Sequence, residues 1–118
     1  MSFVKKVLVA AGTLFGLALS LSLMQRETVI LSGRIYYLGN RKFEEAEELT
    51  VETSGSIRKV SGNNKGFILY RDGKEVLKSL EQNSFNVIGS KLEKGVYKVL
   101  PITLGGRRPA DVVLEIVL

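Results

Sequence analysis

A small antiparallel β-sandwich behind one N-terminal hydrophobic helix is the all-β fold that this sequence predicts, on three observations. Residues 7–24 form an apolar run without a charged side chain. After Arg26 the chain changes to short apolar or alternating stretches separated by glycine, asparagine and charge, the texture of strands and turns. Within it, Asp72-Gly73 lies between the β-prone Phe67–Tyr70 and Val76-Leu77, the arrangement that closes a hairpin through a type I′ turn. With 118 residues there is room for one core, so the chain divides into an N-terminal segment, 1–25, and a folded domain, 26–118.

The opening segment decides the compartment. As a helix at 1.5 Å per residue, residues 7–24 would reach about 27 Å, near the thickness of a bilayer's hydrocarbon. Lys5 and Lys6 precede the run, and Arg26 and Glu27 after it nearly cancel. That bias puts the N-terminus in the cytoplasm and the domain outside. As a signal anchor the segment tethers the domain to the membrane. As a signal peptide cut near Ala18–Ser22 it releases a secreted one, although no Ala-x-Ala site is present there. Gly12 and Gly16 form a small-xxx-small pair that can pack two such helices closely.

Composition removes several kinds of chemistry. The chain has neither cysteine nor histidine, so disulfides, thiolate metal sites and the commonest general base are excluded. Beyond the leader, 15 basic side chains face 12 acidic ones, a mild excess that is no nucleic-acid footprint. Ser56 with Lys59, and Ser90 with Lys91, are the nearest approach to a serine–lysine nucleophile. Neither context promises the buried lysine that such chemistry needs. The expectation is a non-enzyme without cofactor or metal.

The elements follow in order. Thr28–Gly39 reads as one strand, or two broken at Ser32-Gly33. Phe43–Thr53 begins as an acidic, helix-tolerant stretch and ends in the β-branched run Leu49–Thr53. The hairpin across Asp72-Gly73 sets Arg71 opposite Lys74, Leu69 opposite Val76 and Ile68 opposite Leu77. Ser84–Ser90, Gly95–Leu104 and Asp111–Leu118 supply three further strands. Pro101 has no N–H to donate, so its strand lies at an edge or kinks there. In the last run Val112, Leu114, Ile116 and Leu118 share one face, and the apolar character of both faces calls for neighbours on each side. Some seven short strands with turns between them fit two packed sheets.

The stretch "SGSIRKVSGNNKGFILYRDGKEVLKS", with the later "LEKGVYKVLPI", resembles the bacterial pre-peptidase C-terminal domain over about residues 29–118. Ile68-Leu69-Tyr70, Asp72-Gly73 and Val76–Ser79 match its middle strand pair, and Leu92–Val99 its late Gly-x-Tyr strand. The resemblance implies a jelly-roll-like sandwich of the secreted or cell-surface sort, an accessory rather than a catalyst. Some relatives bind polysaccharide or collagen, and some hold calcium. This chain has Gly66-Phe67 where the family carries an acidic residue, and no protease domain accompanies it.

Four side chains are candidates for partner binding. Tyr36 and Tyr37 adjoin in a strand, so one of them faces outward and offers a ring to a sugar or a protein. Arg107 and Arg108 lie in a glycine-flanked loop suited to an anion or an acidic partner. The run Glu44–Glu48 lacks the Asp-x-Asp-x-Asp-Gly spacing of a calcium loop and reads as a solvated loop. "SGNNKG", residues 61–66, lacks phosphate-loop spacing and reads as a turn. The function expected is a membrane-tethered, extracytoplasmic accessory subunit with a protein partner; the alternative is a secreted module that binds polysaccharide or another polymer.

Overall fold

The computed structural model describes residues 27–82 and 85–118; the segment 1–25, with Gly12 and Gly16, lies outside these. No helix among the described residues is long and apolar enough to cross a membrane. The described residues form seven antiparallel strands: β1 (Thr28–Leu38), β2 (Arg41–Ala46), β3 (Leu49–Ser61), β4 (Phe67–Arg71), β5 (Lys74–Ser79), β6 (Lys91–Pro101) and β7 (Ala110–Val117). They form one continuous hydrogen-bonded sheet in the order β2-β1-β7-β3-β6-β4-β5, where the sequence predicts two. The sheet curls into a half-barrel, so that β1 packs face to face against β6.

Alternation sets the core. In β1 the residues Val29, Leu31 and Ile35 point inward, and in β7 Ala110, Val112, Leu114 and Ile116 do the same. Period-two alternation is what a sheet with one dry face requires. β7 lies between β1 and β3, which accounts for its apolar character. Phe67, Leu69, Tyr97 and Val99 close the core from β4 and β6.

Three β-bulges bend the sheet. In β3, Ile57 and Val60 both face inward although they are three residues apart, because the register against β7 shifts between Ile57 and Lys59. A second shift separates Val51 from Ser54 against β6. Each inserted residue adds local twist and bends its strand. The third bulge lies in the β4–β5 hairpin. Asp72 and Gly73 both have positive φ, 52° and 83°, as the turn requires, and Arg71 pairs with Lys74 as expected. Beyond Tyr70↔Glu75, however, Leu69 meets Leu77 and Ile68 meets Lys78. Strict pairing would have turned Val76 inward; the bulge leaves it exposed and packs Leu77 against the core.

Other expectations change. β1 runs unbroken through Ser32-Gly33. The acidic stretch is strand, not helix, because Gly39-Asn40 makes a two-residue turn that folds Arg41–Ala46 back on β1. The strand expected over Ser84–Ser90 is not found among its described residues, 85–90: Phe85–Val87 is a single 3₁₀ turn, with Val87 buried in the core. Pro101 ends β6 opposite Phe67. The neighbouring Ile102 N–H donates to the Gly66 carbonyl, so by alternation the proline nitrogen points away from β4. On that side β3 begins only at Leu49, opposite Tyr97, and the missing donor is not needed.

The crossover from β3 to β4, residues 61–66, is tied down by Asn64, which is fully buried. Its Nδ2 donates to the Asp111 carbonyl at 2.8 Å, and its Oδ1 accepts from the Gly66 N–H at 2.9 Å. Gly66 has φ 123° and its α-carbon faces the Ser79 carbonyl too closely for any side chain.

Gly33 holds a similar place between the two sheet halves. A Cβ there would overlap the Val99 carbonyl oxygen on β6, so β1 and β6 cross backbone to backbone. We expect Gly33→Ala to lower stability by about 3 kcal/mol, measured by denaturant unfolding. Asn64→Ala should cost about 2 kcal/mol by stranding a buried N–H and carbonyl. A loss below about 0.5 kcal/mol in either variant would overturn the corresponding account.

Candidate functional site

The outer face of the β1–β2 hairpin brings side chains of two strands together. Because Ile35 is buried, Arg34, Tyr36 and Leu38 point outward, and their partners across the ladder are Glu45, Phe43 and Arg41. Opposite residues of an antiparallel pair share a face, so these six form one surface.

The rings of Tyr36 and Phe43 stack at 5.3 Å with an interplanar angle of 15°. The Arg34 guanidinium lies over Tyr36 at 4.8 Å, and that of Arg41 over Phe43 at 5.4 Å. The result is a ladder of cation, ring, ring and cation, in which the quadrupole of each ring attracts the charge beside it. Leu38 completes the ladder at the hairpin tip and is 63% exposed.

Glu45 fixes one end. Arg34 Nε donates to its Oε1 at 2.6 Å and the Tyr36 hydroxyl to its Oε2 at 3.1 Å. Donation from Arg34, then from Tyr36, holds the Glu45 carboxyl below the usual carboxylate range. The same hydrogen bond raises the Tyr36 phenol above its ordinary value, and Glu45 likewise raises Arg34. Asp111 stands opposite Arg34 on the other side, in β7, where its Oδ1 accepts from the Asn63 N–H at 3.1 Å. Arg34 and Asp111 both border two open depressions of about 380 Å³, one shared with Glu45 and Glu47 and the other with Tyr36 and Pro109.

The four candidate residues fall unequally on this surface. Tyr36 is at its centre. Tyr37 is on the opposite face, half-buried and across from Lys42. Arg107 and Arg108 are exposed in the β6–β7 loop, where the Arg108 N–H donates to the Gly105 carbonyl; that loop runs into Pro109 beside Tyr36. Arg34, Arg41, Phe43 and Glu45 escape the sequence reading. The Gly39-Asn40 dipeptide is the signal that finds them, since a two-residue turn there sets Tyr36 opposite Phe43.

The acidic run is dispersed by strand geometry. Glu44 pairs with Lys42 at 3.4 Å, Glu45 with Arg34, and Glu48 with Lys98 at 3.4 Å, while Glu47 accepts from the Ser32 N–H at 3.3 Å. Among the described residues no group of three or more acidic side chains converges to hold a metal ion. No protein family, curated protein or solved structure matches the chain.

Because Glu45 titrates below its unfolded value, its contribution to stability is fully present above the ordinary glutamate pKa. It is lost as pH falls through the lower, folded value. We expect NMR titration to give Glu45 a midpoint below that of the other exposed glutamates, and Arg34→Ala, more than Tyr36→Phe, to raise it. An unshifted midpoint in the unsubstituted chain would remove Glu45 as the ladder's anchor.

Proposed function

We infer that the domain is a non-catalytic interaction module, held at the membrane by residues 7–24 on the extracytoplasmic side. It serves as an accessory subunit of an envelope or membrane assembly. The observation that carries this reading is the cation–aromatic ladder of Arg34, Tyr36, Phe43 and Arg41, with Leu38 exposed beside it. Arginine and aromatic rings are enriched at the centres of protein interfaces, and a rigid ring presents large contact area at small entropic cost. Here the strand ladder and Glu45 hold four of them in place before any partner arrives, which lowers the cost of binding.

The reading as a jelly-roll-like sandwich, akin to the pre-peptidase C-terminal domain, is supported by the two facing halves of the sheet and by the Asp72-Gly73 hairpin. Such domains serve as accessories. A second reading, binding of a polysaccharide, is favoured by the outward Tyr36 beside an open depression of about 380 Å³.

The decisive experiment places a photo-crosslinking amino acid at Leu38 in the full chain within its native cells. We expect a discrete crosslinked protein in the membrane fraction, with yield reduced by about tenfold in Tyr36→Ala and Phe43→Ala, as for an interface centre. Intact mass of the membrane-bound species should include residues 1–25. Recovery of the chain uncrosslinked from Leu38, together with retention on an insoluble glycan that Tyr36→Ala abolishes, would replace this reading with the second.

A further inference from the structure

The free edge of β2 is complementary to itself, and we propose that two copies of this chain pair edge to edge through residues 41–45. β2 is one of the two outermost strands of the sheet, and Arg41, Lys42, Glu44 and Glu45 are exposed along it. The strand reads Arg-Lys-Phe-Glu-Glu. Laid antiparallel against a second copy about a two-fold axis at Phe43, it sets Arg41 opposite Glu45, Lys42 opposite Glu44, and Phe43 opposite Phe43. Every charged position then meets its opposite, and like charges meet nowhere.

The backbone is in phase with this arrangement. The Glu47 N–H donates to the Ser32 carbonyl at 3.0 Å. Alternation from that bond along the β1–β2 ladder turns the main-chain groups of Arg41, Phe43 and Glu45 toward β1, and those of Lys42 and Glu44 toward the free edge. Lys42 of each copy therefore exchanges a pair of hydrogen bonds with Glu44 of the other. Phe43 faces its counterpart in the closer, non-hydrogen-bonded spacing, in which side chains approach most nearly. The axis is perpendicular to the sheet, so both ladders lie on one side. Phe43 of each copy, with Arg41 over its ring, then meets its counterpart on the face that carries the Tyr36–Phe43 stack.

The opposite edge shows what a guarded strand looks like. β5 pairs with itself about Val76 only by setting Lys74 against Lys78, and the bulge in the β4–β5 hairpin twists that edge as well. Edge lysines and bulges are the usual protections against strand pairing. β2 has no bulge against β1, and its one edge-facing lysine is matched two residues later by a glutamate. A symmetric, isologous contact closes at two copies and leaves the β5 edges outside. This inference does not depend on the accessory role, because the heterologous partner was assigned to the ladder's face and the second copy lies along its edge.

The test is sedimentation velocity of the full chain in mild detergent, with far-UV circular dichroism to verify that each variant is folded. The unsubstituted chain should dimerise. Lys42→Glu sets carboxylate against carboxylate at both 42–44 pairs and Glu44→Lys sets ammonium against ammonium there, so each variant alone should dissociate with a constant raised by about tenfold. An equal mixture of the two should restore the original dimer, because each edge now fits only the other. A monomeric unsubstituted chain, single variants that dimerise as it does, or a mixture without recovery would each overturn the proposal.

Discussion

The half-barrel depends on one close approach, the crossing of β1 over β6 at Gly33. Here the α-carbon of one strand faces the Val99 carbonyl of the other with no side chain between them. Packed sheet faces normally stand about 10 Å apart, with side chains filling the gap. At this point the gap closes, and elsewhere it opens enough to hold Leu31, Phe67, Tyr97 and Ile116. The three bulges supply the bend and Gly33 permits the contact that ends it. Without either, seven strands would make an open sheet with one apolar face in water.

That curl also explains why the β1–β2 hairpin can present a rigid surface at the edge. β1 is anchored on its inner face by the core and on its far side by eight paired residues of β7. β2 adds only Phe43 and Ala46 as half-buried positions, so its order comes from the ladder to β1 and from side chains on the outer face. Glu45, held by both Arg34 and Tyr36, couples those side chains to one another. A cluster that on a mobile loop would lose rotamer freedom on binding has lost it here already.

Much of the architecture was legible from alternation and turn chemistry. The apolar stripe of β7 and the positive-φ turn at Asp72-Gly73 follow from residue identity and spacing alone. The bulges were not legible, because an inserted residue changes register without changing composition; Val76 and Leu77 are equally apolar, and only packing decides which enters the core. The 3₁₀ turn at Phe85–Val87 is hidden in the sequence for a related reason. A short apolar run looks the same in a strand as in a turn that drops one valine into the core. The ladder stayed hidden because it depends on pairing across Gly39-Asn40, and the glutamates beyond that turn suggested a solvated loop. Of the four residues singled out for recognition, only Tyr36 lies within the ladder, since its outward direction follows from strand period, whereas the position of a long loop such as that of Arg107-Arg108 does not.

The order of strands in the sheet differs sharply from their order in the chain, and this has a consequence for how the protein is made. β7 sits third in the sheet and joins the β2–β1 pair to the block β3-β6-β4-β5, yet it is the last of the seven to leave the ribosome. Until it arrives, the nascent polypeptide holds two fragments with unpaired inner edges and half a core each. Completion of the fold is thus deferred until the final strand is free.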